Sequence, residues 1–427
     1  QSRNLLQKKH RNHPTEIIMT ENKKRHLCAL DIGTSKVIAL IGEIQDDSQI
    51  HVVGIGQAPS KGLRSGMVTN IDQTAQAIKA AVEEAELMAD CEVQGVIVGI
   101  AGNHIRSLNS QGVVKIKDGE VNQTDIDRAI ETARAVSIPP DHQVLHTVMQ
   151  EFIIDNQPGV KDPIGMSGMR LDTRVHIITG AMTAVQNVEK CVERVGLSVD
   201  AVVLQPLASA LAVLTEDERE LGVCCIDIGG GTTDIAVFTG GAIRHTAVIP
   251  VAGDLITKDL AQALRTPHAA AEYIKIHHGV AIDTFDDLDE MIEVPSVGDR
   301  SPRQISRRTL ASVIIPRTEE ILEVVVNELR HAGFPEEVLT SGVVFTGGAS
   351  LLEGMIDLAE DVFNLPARVG VPKEAGGLSE RIRNPRYATA IGLLYQYFET
   401  EMKGFPPSQD DDRSAWIKLR DWFASKF

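Results

Sequence analysis

Cys225-Ile226-Asp227-Ile228-Gly229-Gly230-Gly231-Thr232-Thr233-Asp234 ends an apolar run in a carboxylate and follows it with three glycines. Ala29-Leu30-Asp31-Ile32-Gly33-Thr34-Ser35-Lys36 makes the same chemical statement near the start of the chain. Small residues after each strand let backbone N–H groups approach an anion with no Cβ in the way. A carboxylate beside phosphate is repulsive unless a cation lies between them, so Asp31 and Asp227 are read as holding a hydrated Mg²⁺. Two such turns facing each other would grip a nucleotide from both sides. One Asp-x-Gly is an ordinary turn. The repetition in the same strand context favours phosphate binding, and Val343-Val344-Phe345-Thr346-Gly347-Gly348-Ala349-Ser350-Leu351-Leu352 adds a third glycine turn. There the expected order is a buried strand, the glycines, then a helix whose N-terminus favours phosphate.

Composition sets the bounds. The 427 residues are 43% apolar, enough for two lobes with separate cores. A formal net charge of −17 argues against nucleic acid as a partner. Five cysteines, at 28, 91, 191, 224 and 225, are odd in number and form no CxxC pair, which fits a reduced compartment and thiols used as small core side chains. No stretch is long enough to span a bilayer and no secretory signal is evident, so the expected location is cytoplasmic. Residues 1–18 are polar and basic and read as an upstream or disordered extension, with the chain proper beginning at Met19.

Strands are expected at 27–33, 36–44 and 51–58, then a helix capped by Asp72 and a strand at 93–100. The second half repeats that order, with strands at 222–228, 234–239 and 242–249 before a helix at 254–264. His142 and His146 lack a second ligand pair at zinc spacing, and His277-His278 precede Gly279 at a helix end; both pairs are read as structural. There is no Walker A sequence, HExxH or nucleophile elbow.

Two charged features stand apart. Arg300, Arg303, Arg307, Arg308 and Arg317 follow the acidic loop Ala281–Glu290 in a strongly acidic protein, either as a solvated helix face or as a site for a carboxylate-bearing peptide. Residues 399–412 read as a flexible acidic linker, and 413–427 reverse its character. Trp416, Leu419, Phe423 and Phe427 share one face of a helical projection, with Ile417 and Trp422 at its margins. Arg420 and Lys426 can snorkel to lipid phosphate, so the segment is expected to be an amphipathic helix on anionic lipid, the alternative being a helix docked on the body. Burial of four to six large side chains yields on the order of 6–12 kcal/mol gross, much of it offset by ordering the helix, so one tail is a marginal anchor and several on one polymer a firm one.

These segments resemble the actin-like ATPase superfamily, motif by motif and in order. Asp31 to Lys36 is similar to the first phosphate segment, Asp227 to Asp234 to the second, and Thr346 to Leu352 to the adenosine segment. Val203 to Ala210 and Ala388 to Leu394 are similar to the two connecting helices. The stretch between Gly102 and Gly180, with Gln150-Glu151-Phe152-Ile153-Ile154-Asp155 and Ile164-Gly165-Met166-Ser167-Gly168-Met169-Arg170-Leu171, resembles the FtsA family. The resemblance implies an α/β, actin-like (ribonuclease H-like) duplicated two-lobed fold with an FtsA-type inserted subdomain. The expected division is 27–101 with 180–213 as subdomain 1A, 102–179 as the inserted 1C, 214–250 with 318–398 as 2A, and 251–317 as 2B.

The resemblance further implies ATP and Mg²⁺ as cofactors, with hydrolysis at most slow. Phosphates would lie on the backbone of Gly33, Thr34 and Ser35 and of Gly229, Gly230, Gly231, Thr232 and Thr233, with Lys36 as charge partner. Glu272 and Lys275 would contact adenosine, Gly347, Gly348 and Ala349 would close the base pocket, and Gln205 would orient water near Asp227. It implies self-assembly at the inner membrane of the division site, the C-terminal peptide of FtsZ on the arginine segment, and later division proteins on the inserted subdomain. Another actin-like scaffold of the pilus-assembly type, or a sugar or metabolite kinase, shares the motifs and stays open at this point.

Overall fold

The computed structural model describes residues 25–45, 50–284, 288–298, 300–373 and 376–402. The C-terminal tail from 403 onward, with the expected amphipathic helix, lies outside the described residues.

Two sheets repeat one plan. In the first, strands run in the order Ser198–Leu204, Gly95–Ile100, Arg25–Ile32, Lys36–Ile44 and Ile50–Pro59, with the short Gly376–Gly377 at the edge. In the second the order is Ala367–Val369, Val343–Thr346, Val223–Ile228, Thr233–Thr239 and Ala242–Ile249. Each opening strand pairs antiparallel with the strand after it and parallel with one that arrives later, Asp31 opposite Gly99 and Asp227 opposite Thr346. Strands buried on both faces need continuous apolar runs, which Val37–Ile41 and Val223–Ile226 supply. The helix Ile71–Ala89 lays Ala77, Ile78, Ala81 and Val82 on the first sheet. Its cap is Asn70, whose side chain accepts from the N–H of Gln73 at 3.0 Å; Asp72 sits in the first turn and pairs with Arg194. Asn and Asp two residues apart both satisfy the capping preference, and the backbone register chooses Asn.

The first connecting helix is Gln205–Val213, Val203 and Leu204 having ended the preceding strand. The second is Ala388–Met402. They cross so closely that a Cβ on Gly392 would lie 1.8 Å from the carbonyl oxygen of Ala208. After Gly347 the chain makes only the 3₁₀ turn Gly348–Leu351, and the expected helix waits until Met355–Phe363. The helix Arg307–His331 runs without a break through the expected boundary between 317 and 318, with Pro316 inside it.

Between the first-sheet strands Gly95–Ile100 and Ser198–Leu204 the chain forms a separate small unit. Its sheet has the order Arg106–Lys115, Arg170–Ala181, His142–Ile154 and Gln157–Val160, over the helix Gln123–Arg134. Asn122 and Asp125 cap that helix reciprocally. The unit has its own core, with Ile116, Phe152, Leu171 and Val175. It docks on the second lobe's edge strand by polar contacts: Ser107 Oγ donates to Thr246 O at 2.8 Å, Asn109 Nδ2 to Arg244 O at 3.0 Å, and Gln150 Nε2 to Ile243 O at 2.8 Å. Buried His176 joins Asn109 Oδ1 at 2.7 Å and Thr246 Oγ1 at 3.0 Å, and burial holds its pKa down at about 3, so it bonds as a neutral ring.

Candidate nucleotide site

The two motif turns are the same object. Ile32 pairs with Val37 and Ile228 with Thr233, leaving four-residue loops at 33–36 and 229–232. Gly33 N–H donates to Lys36 O at 3.0 Å and Gly229 N–H to Thr232 O at 2.9 Å, so both glycines spend their N–H groups closing the turn. The tips face each other across the lobes. A Cβ on Gly230 would lie 1.8 Å from Ser35 Oγ, and one on Gly231 would lie 2.4 Å from Thr34 Oγ1. Close approach, rather than dihedral freedom, favours glycine here, most firmly at Gly231, whose added Cβ would also stand 2.7 Å from Thr34 Cβ. Thr34 Oγ1 accepts from Gly66 N–H at 3.1 Å, and Thr233 Oγ1 donates to Val251 O at 2.7 Å, so these hydroxyls brace the loops.

Behind the tips the carboxylates converge. Burial and then the charge of Asp227 push the Asp31 carboxyl up to about 7, against the pull of Lys36. Gln205 Nε2 donates to Asp31 Oδ1 at 3.0 Å, which places that amide on the first carboxylate. Asp227 Oδ2 accepts from Ser209 Oγ at 2.6 Å and Thr389 Oγ1 at 3.1 Å, and those two hydroxyls lie 2.9 Å apart. Each connecting helix therefore holds the same oxygen. Burial raises Asp227 as well, opposed by those hydroxyls and by Lys36. Asp234, across the strand pair from Asp227, is a third buried carboxyl that sequence reading passed over. Its Oδ1 has no hydrogen-bond partner among the described residues, and burial followed by Asp227 raises it far above the carboxylate range. Three buried carboxyls, two of them raised further by the charge of Asp227, fit a cation placed among them. Among the described residues no three His, Cys, Asp or Glu side chains gather as a direct ligand set.

The remaining walls come from the second lobe. The helix Gly253–Leu264 starts against the second turn, Gly253 N–H donating to Gly229 O at 3.2 Å and Asp254 N–H to Gly230 O at 2.8 Å. A Cβ on Gly253 would stand 3.2 Å from the Ala349 Cβ and 3.7 Å from Lys275 Nζ, which brings the second turn, the third glycine segment and the 268–278 helix to one spot. Lys275 Nζ donates to Glu272 Oε2 at 2.7 Å, Thr257 Oγ1 at 2.8 Å and Gly253 O at 3.1 Å. Gly347 has φ +83°, and a Cβ there would fall 2.2 Å from Asp227 Oδ1. Glycine is required on both counts. Lys36 Nζ sits 5.8 Å from the Tyr387 ring centroid, and burial and then Arg386 lower its ammonium to about 8.

The five arginines do not act alike. Arg300 is exposed. Arg303 lies on the Met291–Val294/Arg303–Ser306 hairpin and bonds Leu264 O. Arg308 pairs with Asp289 at 3.1 Å, both exposed. Arg317 is held by Asp259 and by Glu320, each at 2.5 Å. Arg307 is buried, donating to His278 O at 3.2 Å and to Glu353 at 2.7 Å, so it is a fold residue and cannot meet a peptide on this surface. Of the two histidine pairs, His146 Nε2 accepts from Leu204 N–H at 3.0 Å with its pKa held down at about 3 by burial, and His277 bonds the Tyr273 carbonyl at 2.8 Å.

Residues 224–392 match the family model described as Cell division protein FtsA, and residues 102–179 match the SHS2 domain inserted in FTSA. Relatives bearing the name Cell division protein FtsA include that of Neisseria meningitidis serogroup B, 66% identical over 413 residues, 95% of this chain and 100% of that protein. The Pseudomonas aeruginosa relative is 54% identical, covering 94% of this chain and 98% of its own, and that of Escherichia coli K12 is 43% identical, covering 95% and 99%. Among solved structures, the PilM-PilN type IV pilus biogenesis complex superposes with a TM-score of 0.62 at 18% identity, over 87% of this chain and 98% of its own. MreB5 of Spiroplasma citri bound to ADP does so at 0.55 and 15%, over 89% and 99%. At those identities the shared property is the duplicated actin-like fold. With 66% identity over 413 residues to a relative that it covers from end to end, and both lobes and insert in place, the chain belongs to the FtsA family of actin-like cell division proteins.

Proposed function

We propose that this chain binds ATP with Mg²⁺ between its two turns, polymerises on the cytoplasmic face of the inner membrane, and tethers FtsZ filaments there through the arginine-bearing subdomain. The observation that carries the nucleotide reading is the pair of four-residue turns, closed by the same hydrogen bond, meeting tip to tip with Asp31 and Asp227 behind them. In this reading Mg²⁺ would neutralise the phosphates and be held by Asp31 and Asp227 through water. The chain's own residues do the rest: turn backbone positions phosphate, Glu272 and Lys275 flank the adenosine beside Ala349, and Gln205 on Asp31 orients water. Ser209 and Thr389 fix the Asp227 carboxylate. Turnover at such a site is slow, and the nucleotide serves chiefly to set the lobes for assembly.

Residues 413–427 supply the anchor in this reading, and the inserted subdomain the surface for self-association and for later division proteins. Among the described residues no helix is long and apolar enough to cross a membrane, and a peripheral anchor needs none. The test is a pull-down of FtsZ and of FtsZ lacking its C-terminal peptide on this chain, beside sedimentation with anionic vesicles. Retention of both FtsZ forms alike, or none of either, sinks the tether. Phosphorylation of a sugar or polyol panel would move the assignment to a kinase.

A further inference from the structure

Arg386 is not part of any glycine motif, yet its neighbours touch the third glycine segment, Lys36 of the first turn and Asp227. It sits in the 3₁₀ turn Pro385–Tyr387, immediately before the second connecting helix. Pro385 O accepts from Gly347 N–H at 3.3 Å and from Thr346 Oγ1 at 3.2 Å, so the turn is bolted to the third glycine segment. The next residue, Tyr387, places its ring 5.8 Å from Lys36 Nζ. Two residues on again, Thr389 donates to Asp227. Asn384 Oδ1 accepts the Arg386 backbone N–H at 3.1 Å, which fixes where the side chain leaves the turn.

The side chain is half-buried, and its Nε is a buried donor with no partner among the described residues. Its charge is close enough to Lys36 to depress that ammonium. Two cations set side by side repel, and a buried guanidinium N–H left unbonded is costly. Both conditions are relieved by one species, an oxyanion shared between Lys36 and Arg386. A guanidinium can offer it two parallel N–H donors, which an ammonium cannot.

We propose that Arg386 is a phosphate-binding residue that works with Lys36 to favour a nucleoside triphosphate over the diphosphate. This rests on the nucleotide reading above and adds to it a residue and a selectivity. The terminal phosphate of a triphosphate carries the extra negative charge that two cations reward.

The experiment measures ATP and ADP affinities by calorimetry on the full chain with Mg²⁺ present, for the parent, Arg386→Gln, Arg386→Lys and Gly230→Glu. In Arg386→Gln the ATP affinity is expected to fall about tenfold while that for ADP falls less than about threefold. Arg386→Lys keeps the charge and loses the fork, so its ATP-to-ADP ratio should lie between those of parent and Gln variant. A ratio equal to the parent's in Arg386→Gln overturns the assignment while nucleotide binding itself stands. Should the Gln variant not fold, the parent's ratio in Arg386→Lys overturns it equally. A parent that binds neither nucleotide, or a Gly230→Glu chain that binds as the parent does, overturns the site and this proposal with it.

Discussion

Asp31 carries a stability consequence that can be measured without any ligand. Its carboxyl is raised from 3.8 to about 7 in the folded chain, so between those values the folded state holds a proton that the unfolded state has released. Asp31's own contribution to the stability of the nucleotide-free protein therefore falls as pH rises through that window and levels off above about pH 7, whereas buried His146 and His176, their pKa values held down at about 3, contribute stability that rises up to about pH 6.5. Asp31→Asn keeps an oxygen for Gln205 and removes the charge, so its melting temperature should exceed the parent's at about pH 8 and match it near pH 4. Thermal melts of both proteins across pH check this through their difference; a gap between Asp31→Asn and parent that does not widen from about pH 4 to about pH 8 contradicts it. At Gly230 the expectation concerns affinity. Gly230→Ala should weaken ATP by roughly tenfold or more, and Ser35→Gly should restore much of it, because the added Cβ meets Ser35 Oγ. A double variant as weak as the single one would show that the obstruction lies elsewhere.

Whole elements sort the arginines in a way single residues do not. Arg300 and Arg308 are exposed on the hairpin and the following helix start, whereas Arg307 points inward to His278 and Glu353. Arg300→Glu with Arg308→Glu should weaken binding of the FtsZ C-terminal peptide and flatten its salt dependence, leaving ATP affinity alone. Arg307→Ala should instead cost about 2 kcal/mol of stability, because a buried charged donor and its acceptors lose each other. Peptide titrations and chemical denaturation separate the two outcomes, and peptide binding untouched by the double reversal would return these arginines to a solvated face. Sequence could show that the five lie together but not which one is folded inward, since Glu353 is far away in the chain. The same limit hid Arg386, whose place depends on how Pro385 meets Gly347. What was legible were the turns, because strand, Asp and small residues are contiguous and the phrase is repeated. Asp234 stood in the quoted motif and was missed, because only the cross-strand pairing sets it against Asp227.

For the molecule as a whole, the fold's cooperation with the tail makes the clearest prediction. Deleting 413–427 should abolish sedimentation with anionic vesicles and leave ATP binding intact. Vesicle binding by the full chain should rise more steeply than linearly with protein concentration as tails come to share one filament. A truncated chain that still pellets with lipid would locate the anchor elsewhere. Between the lobes, the hydroxyls of Ser209 and Thr389 and the Asp227 Oδ2 form a triangle, each corner within hydrogen-bond distance of the other two. Two hydroxyls bring two protons to three edges. With Asp227 ionised, both protons point at the carboxylate and the edge between Ser209 and Thr389, the one that joins the two connecting helices directly, holds none. A proton on Asp227 can fill the third edge, so the ring is complete only when the site is uncharged there. The arithmetic of one hydrogen atom thus links the electrical state of the cleft to how many bonds stitch the two halves together.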